Sequence, residues 1–264
     1  MATLVTEALV LRVVEFGESD RILHLLTPET GRLTAIAKGA KRSKKRFSGT
    51  LDFFNHLRVQ AERRPGRAMA RLEHTALLRS FTELRESPAR FGLGCYLLEL
   101  LGKLAPEGGA KPDMQRLFRF ALAALESIAT RPPDRRLRML LELRALDALG
   151  LRPELRRCVR CGRDVAPAAE VGFHVGEGGP VCAACGIRSN GSNGPDGLLR
   201  VHLGTLRALE QGLRLPDEKL DRLAIAPVAL EEARRLLARF TRFHVGIELK
   251  SERFLNEMLQ GAAA

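Results

Sequence analysis

Between residues 4 and 75 hydrophobic side chains recur with a period close to two, the spacing of strands. Leu4 to Phe16 is rich in Val and Leu on both parities, as a strand partly covered on both faces requires. Gly17-Glu18-Ser19-Asp20 reads as a turn, and Arg21 to Thr27 as a second strand with Leu23 and Leu25 on one face. Pro28-Glu29-Thr30-Gly31 supplies hairpin chemistry, with Gly31 free to take positive φ. Leu33, Ala35 and Ala37 alternate with Arg32, Thr34 and Lys38 in a third strand. Leu51, Phe53, Leu57 and Val59 share one parity and predict a fourth. After Arg64-Pro65-Gly66, alternation of Ala68, Ala70 and Leu72 with Arg71 and Glu73 predicts a fifth. Five short antiparallel strands in about 75 residues fit a small closed barrel of OB type, although an SH3-like barrel meets the same strand count.

From Ser80 the period becomes helical. Pro88 and Pro112 each open a helix; Leu93, Leu97, Leu98, Leu101 and Leu104 stripe the first, and Leu117, Phe120, Ala121, Ala124, Leu125 and Ile128 the second. A third runs from Leu137 to Leu149 and ends at Gly150; helices over 203–213, 227–243 and 251–259 follow. The predicted fold is α+β and multidomain. An OB-fold barrel occupies residues 1–79, and a compact helical domain occupies 80–264, with a zinc-ribbon-like insert at 155–190.

Charge sharpens this picture. The third and fourth strands are joined by Lys38-Gly39-Ala40-Lys41-Arg42-Ser43-Lys44-Lys45-Arg46-Phe47, six cations without an acid, which is either idle solvated loop or a surface for polyanions. The whole chain has 43 Lys and Arg against 31 Asp and Glu, a formal charge of +12. With a pI near 10.2, nucleic acid is the expected partner and an anionic membrane surface the weaker option. Lys38, Lys41, Arg42, Lys44, Lys45 and Arg46 are the first candidates for phosphate contact, followed by Arg12, Arg21 and Arg32 on the strands. The helical Arg234, Arg235, Arg239 and Arg242 offer a second location. With no Trp and one Tyr, and Phe47 as the sole aromatic in the run, stacking is expected to be minor and phosphate contact dominant.

Glu7 and Arg12 interrupt the first strand in a way a signal peptide would not tolerate, and Glu99 and Lys103 break the most apolar helix. An intracellular protein is expected. Cys158-x-x-Cys161-Gly162 and Cys182-x-x-Cys185-Gly186 pair four of the five cysteines, and two such turns complete a tetrahedral site suited to Zn²⁺. Redox pairs without metal, or an iron–sulfur cluster, are the alternatives. A closed four-thiolate sphere leaves no open position, so the zinc is expected to be structural and to hold together a Gly-rich insert with little core of its own. His174 is expected on the surface and Cys95 in the core. The chain has no G-x-x-x-x-G-K-[ST], H-E-x-x-H or G-x-S-x-G motif, and Glu231-Glu232 sit where acids complement a helix start. A binding protein is expected, not an enzyme.

Three residue sets then coincide. Gly17-Glu18-Ser19-Asp20-Arg21-Ile22 leads to Gly31-Arg32-Leu33 and Ala37-Lys38-Gly39-Ala40-Lys41-Arg42; Tyr96-Leu97-Leu98-Glu99-Leu100 follows; Leu149-Gly150-Leu151-Arg152-Pro153 precedes the cysteine pairs. Together they resemble RecO, a bacterial recombination-mediator and DNA-repair family, along nearly the whole chain. The resemblance is weakest at Leu249-Lys250-Ser251-Glu252-Arg253-Phe254-Leu255, where Glu252 enters a Lys/Arg/Ser-rich motif. It implies an OB-fold, a helical domain and zinc on Cys158, Cys161, Cys182 and Cys185. It also implies binding of single- and double-stranded DNA, ATP-independent annealing, and action with RecR and single-strand-binding protein to help load RecA. A cytoplasmic, nucleoid-associated location goes with that role. A zinc-ribbon adaptor that binds RNA without annealing is the alternative reading.

Overall fold

The computed structural model describes residues 2–43, 45–47, 49–63, 66, 68–165, 170–186, 197–246 and 248–261. Strands β1 (Ala2–Phe16), β2 (Asp20–Thr27), β3 (Gly31–Ala37), β4 (Asn55–Arg63) and β5 (Ala70–Ser80) close into a barrel in the order β1-β2-β3-β5-β4, as in an OB fold. β1 closes it by length: its first half pairs with β4 and its second half with β2, the register shifting between Val10 and Arg12. One edge corrects the antiparallel expectation. Because β4 runs against β1, β5 returns in the direction of β3 and pairs with it in parallel, Ala35 beside Ala70 and Ile36 beside Arg71.

Leu23, Leu25, Ala35, Leu57 and Leu72 are wholly buried inside the barrel, and Phe47 joins them at 3 % exposure. The fourth strand starts at Asn55, so Leu51 and Phe53 belong to the turn before it. There Phe54 takes φ 69°, a left-handed conformation costly for a bulky side chain. Its ring fills a recess over Gly94: a Cβ on Gly94 would lie 2.7 Å from the Phe54 ring and 2.7 Å from Leu84.

Helices α1 (Pro88–Leu104), α2 (Lys111–Thr130) and α7 (Ser251–Gly261) join the barrel in one compact unit, residues 1–133 with 249–264. The change of period at Ser80 therefore marks a change of secondary structure inside a unit. Ser87 caps α1 by accepting the Arg90 N–H at 3.3 Å. In α2 the inward stripe is Met114, Leu117, Phe118, Ala121, Ala124, Leu125 and Ile128; Phe120 falls off that face and is only half-buried, which corrects its predicted place.

The second unit, Asp134–Glu248, contains α3 (Arg135–Ala148), a sheet in the order β7-β6-β8, the single turn α4 (Ala183–Gly186), α5 (Leu203–Arg214) and α6 (Pro227–Val245). The strands are β6 (Glu170–His174), β7 (Gly179–Val181) and β8 (Leu198–His202). Phe173 and Val175 are fully buried in one core with Leu143, Leu206, Leu209 and Leu236. The cysteine module thus has an apolar anchor on α3, α5 and α6, contrary to the expectation of an insert with little core, and β8 extends its sheet beyond residue 190. Glu232 also exceeds its expected role. It is buried, with His202 N–H at 3.0 Å, His202 Nδ1 at 2.6 Å and Thr205 Oγ1 at 2.5 Å, so it caps α5 from α6. Among the described residues no helix is long and apolar enough to cross a membrane.

Candidate metal centre and nucleic-acid interface

The two C-x-x-C turns converge. Cys158 opens the first, where the Gly162 N–H donates to the Cys158 carbonyl at 2.8 Å and Gly162 holds φ 72°, a value a side chain would resist. Cys182 immediately precedes α4 and Cys185 lies within it, and the Cys185 and Gly186 N–H groups close on the Cys182 carbonyl at 3.0 and 2.8 Å. Arg160 ties the turns together, donating to the Cys185 carbonyl at 3.0 Å and to both oxygens of Glu177.

All four sulfurs lie within 4.8 Å of one another, with Cys161 and Cys182 at 3.7 Å. Around a tetrahedral ion with Zn–S of about 2.3 Å, neighbouring sulfurs stand about 3.8 Å apart, so donor set and spacing fit zinc. Burial pushes the Cys158 thiol up, but the N–H groups of Cys182, Cys161 and Arg160 outweigh it and hold the thiol at about 6. The Cys182 thiol, followed by burial, pushes Cys185 up to about 12. Four thiols this close ionise together only when a cation replaces their protons. His174 is not a member of the cluster: its Nδ1 accepts the Glu177 N–H at 3.2 Å. Cys95, expected in the core, is a half-buried thiol whose pKa burial raises to about 11, and it joins no ligand cluster among the described residues.

The basic loop is fastened to the barrel. Asp20 accepts the Gly39 N–H at 2.8 Å, and the Lys41 N–H donates to the Ser19 carbonyl at 3.0 Å. The Asp20 carboxyl is held below its ordinary range chiefly by that Gly39 bond. At the far end the Arg46 carbonyl accepts from the N–H and the hydroxyl of Thr75, both at 3.1 Å. Two stretches that resemblance groups together, 17–22 and 37–42, are therefore joined physically.

The nine proposed phosphate contacts separate into groups. Lys38 and Lys45 are exposed and, among the described residues, have no acid within ion-pair distance; Arg12 on β1 is the same. Arg42 approaches Glu18 at 4.0 Å, with both side chains largely in solvent. Lys41 and Arg21 share one acid, Glu15, at 2.6 and 3.1 Å, and those bonds, Lys41 first, lower the Glu15 carboxyl. Two cations have structural work. Arg46 donates to the Lys38 carbonyl at 2.8 Å and lies over Phe47, while Arg32 donates to the Gly102 carbonyl of α1 at 2.7 Å and pairs with Glu107. Lys44 lies outside the described residues. Phe47, buried in the barrel, offers no ring for stacking. On α6, Arg234 pairs with Glu231 and Arg242 with Glu248.

A closed barrel bearing exposed lysines, followed in the chain by a helical unit with four clustered cysteines, defines an OB-barrel protein with a tetracysteine module fit for a metal ion. The model of the family described as Recombination protein O N terminal matches residues 1–81, and Recombination protein O C terminal matches 85–253. The DNA repair protein RecO of Anaeromyxobacter sp. (strain K) is 38 % identical over 254 residues, 94 % of each chain. That of Myxococcus xanthus (strain DK1622) is 35 % identical over 252 residues, 96 % of each, and that of Symbiobacterium thermophilum 30 % over 259 residues, 98 % of each. The chain belongs to the RecO family of DNA repair proteins.

Proposed function

We propose that this chain is a recombination mediator that binds single- and double-stranded DNA through phosphates and anneals complementary strands without ATP. The observation that carries this reading is the basic loop, tied to the barrel through Gly39 on Asp20 and Arg46 on Thr75, while Lys38 and Lys45 are exposed and without an ion pair among the described residues. Fixed cations that neutralise phosphates release the counter-ions condensed on the nucleic acid, which favours binding indifferent to base identity. The same charges screen two strands from each other and so promote pairing. By its family likeness the chain works with RecR and single-strand-binding protein to help load RecA, in the cytoplasm and near the nucleoid. It acts by binding rather than catalysis. Zinc on Cys158, Cys161, Cys182 and Cys185 is structural and adds rigidity to the second unit.

The test is annealing of complementary strands coated with single-strand-binding protein, with no nucleotide present. Annealing well above the protein-free rate is expected. With about four phosphates neutralised, log K for a single strand should fall against log[salt] with a slope of about −3, and Lys38→Glu with Lys45→Glu should flatten it. Unchanged annealing and an unchanged slope in that variant would overturn the reading.

A further inference from the structure

A cleft of about 900 Å³ opens in the first unit between the outer face of the barrel and α1, with Lys250 and Ser251 also lining it. Three polar side chains cross its barrel wall in one row: Arg12 on β1 pairs in register with His24 on β2, and His24 with Thr34 on β3. His24 Nδ1 lies 3.3 Å from the Thr34 hydroxyl, so this row shares one face. Leu11, Val13, Leu98 and the half-buried Phe53 add hydrocarbon beside it.

The charges are unbalanced. Both acids in the cleft are engaged: Glu99 accepts the Lys250 and Ser251 N–H groups at 2.9 and 2.8 Å, and Glu107 pairs with Arg32 at 3.1 Å. Arg12 and Lys250 are exposed and have no ion-pair partner among the described residues. His24 registers the resulting field. Burial first, then the charges of Arg12 and Arg32, lower its pKa, with only Glu107 opposing.

We propose that this cleft takes a short run of single-stranded nucleic acid, with phosphates on Arg12 and Lys250 and an unstacked base against the hydrocarbon lining. The proposal rests on the DNA-binding reading above and gives single strands a place of their own, separate from the basic loop. A recess with cations on one side and apolar surface on the other rewards a chain that offers phosphate and base together. A duplex keeps its bases stacked inward and presents only phosphate to such a recess, so it stays on the loop.

The experiment measures anisotropy of a labelled oligo-dT and of a blunt duplex of equal length, with the full chain and with Arg12→Glu combined with Lys250→Glu. Both side chains are exposed and have no ion pair among the described residues, so the melting temperature should not move; Arg12→Gln with Lys250→Gln serves as a milder second variant. Single-strand affinity is expected to fall about tenfold or more while duplex affinity stays within about twofold. Equal losses for both forms, or no loss for either, would overturn the cleft. If Lys38→Glu with Lys45→Glu weakens both forms while the cleft variants weaken neither, the cleft alone is rejected. If the loop variant weakens neither form, the broader DNA-binding reading fails on its own.

Discussion

Glu99 and Ser251, 152 positions apart, are joined by two hydrogen bonds to one carboxylate oxygen: the Ser251 N–H at 2.8 Å and its hydroxyl at 2.6 Å. The other oxygen takes the Lys250 N–H at 2.9 Å. A carboxylate on α1 thus caps the first turn of α7, where free N–H groups and the helix dipole favour negative charge.

Replacing Glu99 with Ala should cost about 2 kcal/mol, the sum expected for a lost cap and charge-assisted bonds. Urea unfolding would give the loss, and amide exchange should show α7 fraying before the barrel strands. A loss below about 0.5 kcal/mol would mean that Phe254 and Leu255, packed against Gly92, hold the helix unaided.

Acid should loosen both units through three caps. Glu99, Glu154 and Glu232 are each pushed up by burial, yet N–H and hydroxyl donors outweigh it and leave the carboxyls below their ordinary range. The donors are Ser251 and Lys250 for Glu99, Arg156, Arg157 and Leu155 for Glu154, and Thr205 and His202 for Glu232. Such groups bind fewer protons folded than unfolded. Their stabilisation is complete above the unfolded carboxylate pKa, about 4.3, and is lost as pH falls through the lower folded values. Unfolding free energy measured from pH 6 to pH 3 should drop below pH 5 for the wild type and drop less for Glu232→Gln.

Phe47 should behave as core. Phe47→Ala is expected to destabilise by about 3–5 kcal/mol and to leave the affinity of the folded fraction for oligo-dT unchanged. A stable variant with weakened DNA binding would reverse that assignment.

Chelation of the metal should act locally. Amide exchange is expected to rise about tenfold or more at 158–162 and 182–186, the two turns, while Val171 and Phe173 stay protected by their shared core. Equally fast exchange along β6 would show that the ion, and not the apolar face, holds the sheet.

The small methyl test lies at Gly94. Gly94→Ala places a carbon 2.7 Å from the rings and methyls of Phe54 and Leu84, and overpacking of this kind costs about 1–3 kcal/mol. Differential scanning calorimetry should show a lower melting temperature, partly restored by Phe54→Leu.

The barrel, the helices and the cysteine cluster were legible because each leaves a local mark: alternation, a helical stripe, or two cysteines on one turn. The parallel edge was not, since Ala35 and Ile36 meet β5 through only two paired positions fixed by closure of the whole sheet. Strands β6 to β8 were hidden by glycines and by their shortness. Among the cations, charge alone could not separate Lys45, which is exposed, from Arg32, whose partner is a carbonyl 70 positions away. Phe47 agrees with the expectation of minor stacking, but its place in the barrel core was not legible: a basic neighbourhood in sequence says nothing about which way a ring points.

The first unit is discontinuous, and this bears on how it is made. A ribosome has released α2 long before it reaches α7, about 120 residues later, a gap of roughly 6–24 s at bacterial elongation rates. During that interval the face of α1 around Gly92 has no helix on it, while the intervening stretch can already collapse on its own. A nascent chain stalled before residue 249 would therefore expose apolar surface on α1, which marks that stage of synthesis as the one most in need of a chaperone.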